Sequence, residues 1–211
     1  MALDVKRIEL SPFAMNCYVV RRPDAEEAVV IDPGWPGELA NIEEGLGRAR
    51  CAAILITHAD IDHIGGVAEV QRATGAPVYM GEVDSERAER IDELYPEAGV
   101  TFEPFAPDVL LEGDEPLHLA GIQFETMRVP GHLPGHLAFY SDGALFSGDV
   151  LFSGSVGRTD RADGDWATLL DSISRLLERF PPETVVYSGH GPPTTLGDEL
   201  ARNPFLAELR T

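Results

Sequence analysis

A chain of 211 residues, 44% hydrophobic and 25% charged, has the length and composition of one compact domain over residues 1–211. Its formal net charge of −20 repels nucleic acid and anionic membrane, which excludes a phosphate-backbone partner at the level of long-range electrostatics. No run of about 18 apolar residues exists and no basic stretch precedes an apolar core at the N-terminus, so neither a transmembrane helix nor a secretory signal is expected, and a cytoplasmic location follows.

The first third reads as strands. Val5 to Leu10, Asn16 to Arg21 and Ala28 to Asp32 are short β-rich runs separated by polar or Pro-containing turns. Asp32-Pro33-Gly34-Trp35-Pro36 stops the third run, and Asp32 is expected to cap a turn or to orient a ligand. A helix is predicted from about Pro36 to Arg48, with Leu39, Ile42 and Leu46 on one face. The apolar strand Ala52–Ile56 follows, then the loop Thr57-His58-Ala59-Asp60-Ile61-Asp62-His63-Ile64-Gly65-Gly66. A helix over 67–74 and a strand over Pro77–Met80 come next, then a charged helical stretch over 82–95. The segment from Pro96 to Glu115, rich in Pro, Gly and acidic residues, reads as a loop lying across a site or as a surface connection anchored by Phe102 and Phe105. The second half repeats the order of strands before helix. Leu117–Leu119, Ile122–Val129, Leu137–Tyr140 and Leu145–Phe146 precede an apolar stripe of Trp166, Leu169, Leu170, Ile173, Leu176, Leu177 and Phe180 at helical spacing, with Asp165 as N-cap and Pro181-Pro182 as stop. Thr184–Tyr187 is the last predicted strand. Two strand-rich halves, each followed by helices, suggest two packed sheets with helices outside. Cys17 and Cys51 lack metal or redox spacing and read as reduced, buried, small apolar residues.

The histidine loop is hard to explain as packing. Imidazoles and carboxylates together are what divalent zinc, iron or manganese bind, and a strand end holds such ligands rigidly. Other candidates stand just beyond strands too: His132 and His136 in Val129-Pro130-Gly131-His132-Leu133-Pro134-Gly135-His136, Asp149 in Leu145-Phe146-Ser147-Gly148-Asp149, and His190 in Tyr187-Ser188-Gly189-His190-Gly191. His118 lies outside every motif and reads as structural. No Gly-x-Ser-x-Gly segment offers a serine nucleophile instead.

This order of segments resembles the metallo-β-lactamase superfamily, whose pattern is His-x-His-x-Asp-His followed by a Gly-His, a Gly-Asp and a last His. The resemblance implies an α/β (α+β) four-layer αββα sandwich. It also implies two divalent metal ions per chain (Zn, Fe or Mn), with His58, Asp60 and His132 on the first, Asp62, His63 and His190 on the second, and Asp149 bridging. Asp62 and Asp149 are then the candidate catalytic carboxylates, and a metal-bound hydroxide is the implied nucleophile. One departure stands out: Asp60 occupies the place of the second histidine. An oxygen ligand is harder and favours iron or manganese. With Asp60, Asp62 and Asp149 ionised, two divalent ions leave the cluster at about +1, against about +2 for a histidine at that place. A less acidified water and a later-rising pH–rate profile are the expectation.

Asp149-Val150-Leu151-Phe152-Ser153-Gly154-Ser155-Val156-Gly157-Arg158-Thr159-Asp160 is similar to glyoxalase-II-like hydrolases and persulfide dioxygenases. Gly189-His190-Gly191-Pro192-Pro193-Thr194-Thr195-Leu196-Gly197 and Asn203-Pro204-Phe205-Leu206 resemble the compact glyoxalase-II-like group. What this implies is hydrolysis of a small-molecule thioester, with S-lactoylglutathione as the reference substrate. Arg158 is the position matching a glutathione-binding basic residue, while Asp160 stands where a substrate-binding Tyr is found. His136 is a candidate for the substrate pocket or, alternatively, a histidine that supports the ligands by hydrogen bonding. The alternatives are a mononuclear iron persulfide dioxygenase on His58, His132 and Asp149, or a catalytically idle metal-binding module. Lactamase and nuclease activities are not expected.

Overall fold

The computed structural model describes residues 2–210. Its first half runs β1 (Asp4–Leu10), β2 (Met15–Arg21), β3 (Glu27–Ile31), α1 (Leu39–Leu46), β4 (Arg50–Leu55), α2 (Ile61–Ile64), α3 (Val67–Thr74), β5 (Val78–Gly81), α4 (Ser85–Glu89), α5 (Ile91–Leu94) and β6 (Val109–Leu111). The second half runs β7 (Pro116–Leu119), β8 (Ile122–Arg128), β9 (Leu137–Ser141), β10 (Ala144–Gly148), β11 (Leu151–Phe152), β12 (Ser155–Val156), α6 (Trp166–Arg179), β13 (Val185–Ser188), β14 (Thr194–Thr195) and α7 (Leu196–Arg202). Two six-stranded sheets result, ordered β1-β2-β3-β4-β5-β6 and β14-β13-β10-β9-β8-β7.

Strand alternation explains the four layers. Along β2 and β3, Tyr18, Val20, Val29 and Ile31 pack with Leu137, Phe139, Ala144 and Phe146 of the second sheet. Their alternate neighbours Cys17, Val19, Ala28 and Val30 pack with Ile42, Leu46, Val67 and Val70 of the helices. On the other side, Ala138, Leu145 and Val186 meet Leu169, Ile173 and Leu176 of α6. A strand apolar on both faces is what a sheet covered on both faces requires. The expected αββα sandwich is the observed one.

Most differences from the predicted elements are of boundary. The charged stretch over 82–95 forms three short helical pieces rather than one helix, with Ala88 and Ile91 buried. Phe102 and Phe105 are buried between the first sheet and its helices, and Val109–Leu111 adds a parallel edge strand to β5. The anchored connection therefore describes most of the 96–115 segment. Asp165 caps α6 by accepting a hydrogen bond from the Thr168 amide, but Trp166 at the start of the stripe is exposed and meets Phe205. Both cysteines are free and buried. Among the described residues no helix is long and apolar enough to cross a membrane.

Strand direction positions the site. β3, β4, β10 and β13 belong to parallel pairs (β3 with β4, β10 with β13), and the segments leaving them carry Asp32, His58, Asp149 and His190. Side chains delivered from the carboxyl ends of parallel strands converge on one edge, the usual place for a site in such sheets.

Candidate metal centre

Every ligand candidate of the sequence lies in one cluster. Three groups have ligand atoms within 4.8 Å of one another: His58, Asp60 and His132; His58, His63 and Asp149; and Asp62, His63 and His190. The first and third are the sets expected for two separate ions, and Asp149 stands between them. Its Oδ1 is 3.4 Å from His63 Nε2, and its Oδ2 is 3.6 Å from His190 Nε2 and 3.9 Å from His132 Nε2. Asp62 Oδ2 lies 3.2 Å from His190 Nε2.

The donors fit a divalent ion. His58 Nε2, His63 Nε2 and Asp149 Oδ1 are buried without a hydrogen-bond partner among the described residues. Orphaned buried polar atoms are costly and rare, and three of them converging in one cluster suit an electropositive partner. Mixed imidazole and carboxylate donors suit zinc, iron or manganese.

Supporting contacts fix the ring orientations. Asp32 accepts hydrogen bonds from the Thr57 amide (2.8 Å) and hydroxyl (2.7 Å), and its Oδ2 is 2.9 Å from His63 Nδ1. His132 Nδ1 is 2.8 Å from the Arg158 carbonyl, so it donates there and leaves Nε2 facing the cluster. Of the two roles expected for Asp32, the structure thus shows ligand orientation. Asn16, read only as part of a strand, carries another support. Its side-chain amide donates to the carbonyls of Ser188 (2.9 Å) and Gly191 (2.8 Å), and the Tyr18 hydroxyl donates to Ser188 at 2.6 Å. These bonds tie β2 of the first sheet to the His190 turn of the second. An amide inside an otherwise apolar strand was the available signal.

Close backbone approach is enforced at Gly189. A Cβ there would lie 2.2 Å from Asp149 Oδ1 and 2.6 Å from His63 Cε1, so only glycine lets the turn touch the cluster.

His136 corrects one expectation. It is fully buried, stacked on His58 with ring centroids 4.5 Å apart, and its Nε2 accepts the Asp149 amide at 3.1 Å. No substrate can reach it, and it is a support rather than a substrate-binding residue. Burial pushes its imidazole down to about 3, which keeps Nε2 an acceptor. Arg158 contributes its carbonyl to His132, while its exposed guanidinium forms a two-pronged pair with Asp160 (2.7 and 2.8 Å). His118 is exposed on β7.

Burial and charge act against each other within the cluster. Burial opposes ionisation of Asp149, yet the imidazoles of His63, His190 and His132 outweigh it and hold the carboxyl far below its ordinary range. Burial likewise opposes charging of His63, and Asp149 with Asp32 outweighs it upward. Asp60 would be raised by burial, but the hydrogen bond with His132 and the nearby charges of His132 and Arg161 bring it below the usual range.

Arg161 was missed. Its Nη1 donates to Asp60 Oδ2 at 2.6 Å. This guanidinium supplies the positive charge absent from the sequence reckoning, so a cluster holding two divalent ions totals about +2 rather than about +1. The late-rising pH–rate profile expected from Asp60 alone is withdrawn accordingly.

A cavity of about 490 Å³, lined by Phe13, Trp35, Ile61, Leu94, Tyr95 and Ala98 among others, opens beside the loop that carries Asp60 and Asp62. Tyr95 to Ala98 thus bring the start of the 96–115 region against the ligand loop. Asp62 and His190 are the least buried ligands, with side chains 16% and 30% exposed, so the cluster is open on their side.

Known proteins resemble this chain along nearly its whole length. The family description "Metallo-beta-lactamase superfamily" matches residues 10–190. Hydroxyacylglutathione hydrolase GloC of Haemophilus influenzae is 34% identical, covering 97% of this chain and 98% of its own. Among solved structures, BLEG-1 B3 metallo-beta-lactamase is 37% identical with a TM-score of 0.88, covering 97% of this chain and 100% of that one. TTHA1623 in a di-iron-bound form is 41% identical with a TM-score of 0.83, covering 96% and 100%.

Proposed function

Because the chain belongs to the metallo-beta-lactamase superfamily, we propose that it is a metal-dependent hydrolase of small acyl-thioesters such as S-lactoylglutathione. The observation that carries the hydrolase reading is the pair of ligand sets meeting at Asp149, with buried donor atoms left unpartnered. The end-to-end likeness to GloC supports a thioester as substrate. The di-iron form of TTHA1623 supports two metal ions, with zinc, iron or manganese as the candidates.

When bound, such ions polarise a carbonyl and lower the pKa of bound water from 15.7 to roughly 7. His58, Asp60 and His132 would hold one, Asp62, His63 and His190 would hold the other, and Asp149 lies between the two sets. Asp62, on the open side, would pass on the proton that water releases as its oxygen adds to the thioester carbonyl, so that breaking the C–S bond leaves a carboxylic acid and a thiol. The apolar cavity beside Ile61 takes the less polar part of the thioester. Arg158 is the candidate for an anionic end of the thiol carrier. Its partner Asp160 is exposed, and water screens such a pair, so a substrate carboxylate can take its place.

The likeness to BLEG-1 favours a second reading, β-lactam hydrolysis, on the same residues. One panel separates the readings: S-lactoylglutathione, other small acyl-thioesters, a chromogenic β-lactam, and oxygen uptake with glutathione persulfide. Thioester cleavage at least about tenfold faster in kcat/KM than β-lactam cleavage, without oxygen uptake, is expected; this difference is about 1.4 kcal/mol in transition-state binding. The reverse order, or oxygen uptake, overturns the thioester assignment.

A further inference from the structure

We propose that Asp60 and Arg161 form one functional unit, in which Arg161 is the positioning residue that lets a carboxylate serve as a metal ligand where a histidine is usual. The proposal rests on the metal-dependent reading above and adds a residue that the ligand motif does not contain.

The geometry divides the carboxylate. Asp60 Oδ2 is held by Arg161 Nη1 at 2.6 Å and lies 3.1 Å from His132 Nε2, whereas Oδ1 is buried with no partner among the described residues. Oδ2 also lies 3.9 Å from His58 Nε2, so the oxygen that Arg161 holds is the one facing both imidazoles of the first set, and pinning it fixes the donor that a metal ion would meet. An imidazole in the same position would be neutral and held by its second ring nitrogen. A carboxylate lacks that handle and adds a negative charge close to Asp149 and Asp62. Arg161 supplies both missing parts: a fixed hydrogen bond and a compensating charge. Guanidinium suits the task because it is always charged and its donors lie in a rigid plane.

The pair is not an ordinary surface ion pair. Asp60's side chain is only 5% exposed, and Arg161 reaches it from the 43%-exposed side across a sequence separation of 101 residues. A buried carboxylate left without its partner is much costlier than a broken surface pair.

The loop over 157–165 is built to present the guanidinium. At its start, the Gly157 amide donates to the Val150 carbonyl at 3.2 Å, and the Arg158 carbonyl orients His132. At its end, Asp163 pairs with Arg87 at 2.9 Å and the Asp165 amide donates to Gly131 at 2.8 Å. The Gly164 amide closes a turn onto the Arg161 carbonyl at 3.0 Å. The same loop therefore fixes two of the three donors of the first set: His132 through a carbonyl and Asp60 through a guanidinium.

A double-mutant cycle on the full chain tests the unit, with zinc as the probe and a chromophoric chelator as competitor. Parent, Arg161→Ala, Arg161→Lys, Asp60→His and Asp60→His/Arg161→Ala are compared for zinc retained per chain, for thermal midpoint without metal, and for kcat and KM. Arg161→Ala is expected to weaken zinc at the His58, Asp60 and His132 set by about tenfold or more, the range seen when a ligand's orienting partner is removed. Arg161→Lys restores part of the loss, since it returns the charge without the planar donor. In the Asp60→His background, removing Arg161 changes zinc retention less than about twofold, because no carboxylate needs holding. Equal zinc retention by parent and Arg161→Ala overturns the proposal while leaving the metal site intact. So does an equal loss in both backgrounds, or a rise in KM alone, which would place Arg161 on the substrate. A parent that retains no zinc, iron or manganese overturns the metal-dependent reading and this proposal together.

Discussion

Asp149→Asn is expected to lower thioester hydrolysis by more than about a hundredfold and to leave the protein with less than its full metal complement. Loss of an outer hydrogen-bond partner of a metal ligand costs roughly 10–100-fold, and a carboxylate shared by both ligand sets should cost more. The amide keeps the shape of the side chain but removes the charge that faces His63, His132 and His190. Backbone contacts at position 149 are unaffected, since its amide still donates to His136 Nε2. The metal-free variant should still unfold below the metal-free parent near neutral pH, because the charge that the imidazoles favour in the fold is lost. Activity within about threefold of the parent, with full metal content, would remove Asp149 from the centre of the site.

Asp32→Asn is the second large effect. Asp32 touches no expected metal position, yet it accepts from the Thr57 amide, the Thr57 hydroxyl and His63 Nδ1 while being almost fully buried. Its φ of 52° is left-handed, a conformation that Asn tolerates nearly as well, so the backbone is not the cause of any loss. The new amide group would face the two hydrogens that Oδ2 now accepts. Two outcomes follow: metal affinity about 10–100-fold lower through a misaligned His63, and stability lower by about 1–3 kcal/mol through buried donors left unpaired. Competitive zinc binding and thermal unfolding with and without metal read them separately. Unchanged values in both would mean that His63 is oriented by packing alone.

The ligand positions were legible in the sequence because chemistry-bearing residues sat just beyond apolar runs. His58, His132, Asp149 and His190 each follow a strand, and sheets of parallel pairs place such ends together. The layered architecture was legible for the same reason, since strands apolar on both faces demand cover on both. Contacts that depend on distant segments were not legible. Arg161 meets Asp60 across 101 residues, and Asn16 meets Ser188 across 172, with no local pattern marking either partner. His136 shows the opposite case. Its Gly-His context marked the neighbourhood correctly, but burial beneath His58 decides its role, and burial of one histidine against another is a tertiary fact. The charge reckoning at Asp60 was misled likewise, because its counter-charge arrives from a loop of the other half.

The central claim is that these side chains hold a pair of divalent ions. The direct measurement is metal content per chain by plasma mass spectrometry, on the full chain purified without chelators. About two ions per chain, of zinc, iron or manganese, is the expected result, as two-metal hydrolytic sites require. One ion per chain, with no second taken up on titration, would contradict it and leave one of the two ligand sets without the role assigned to it.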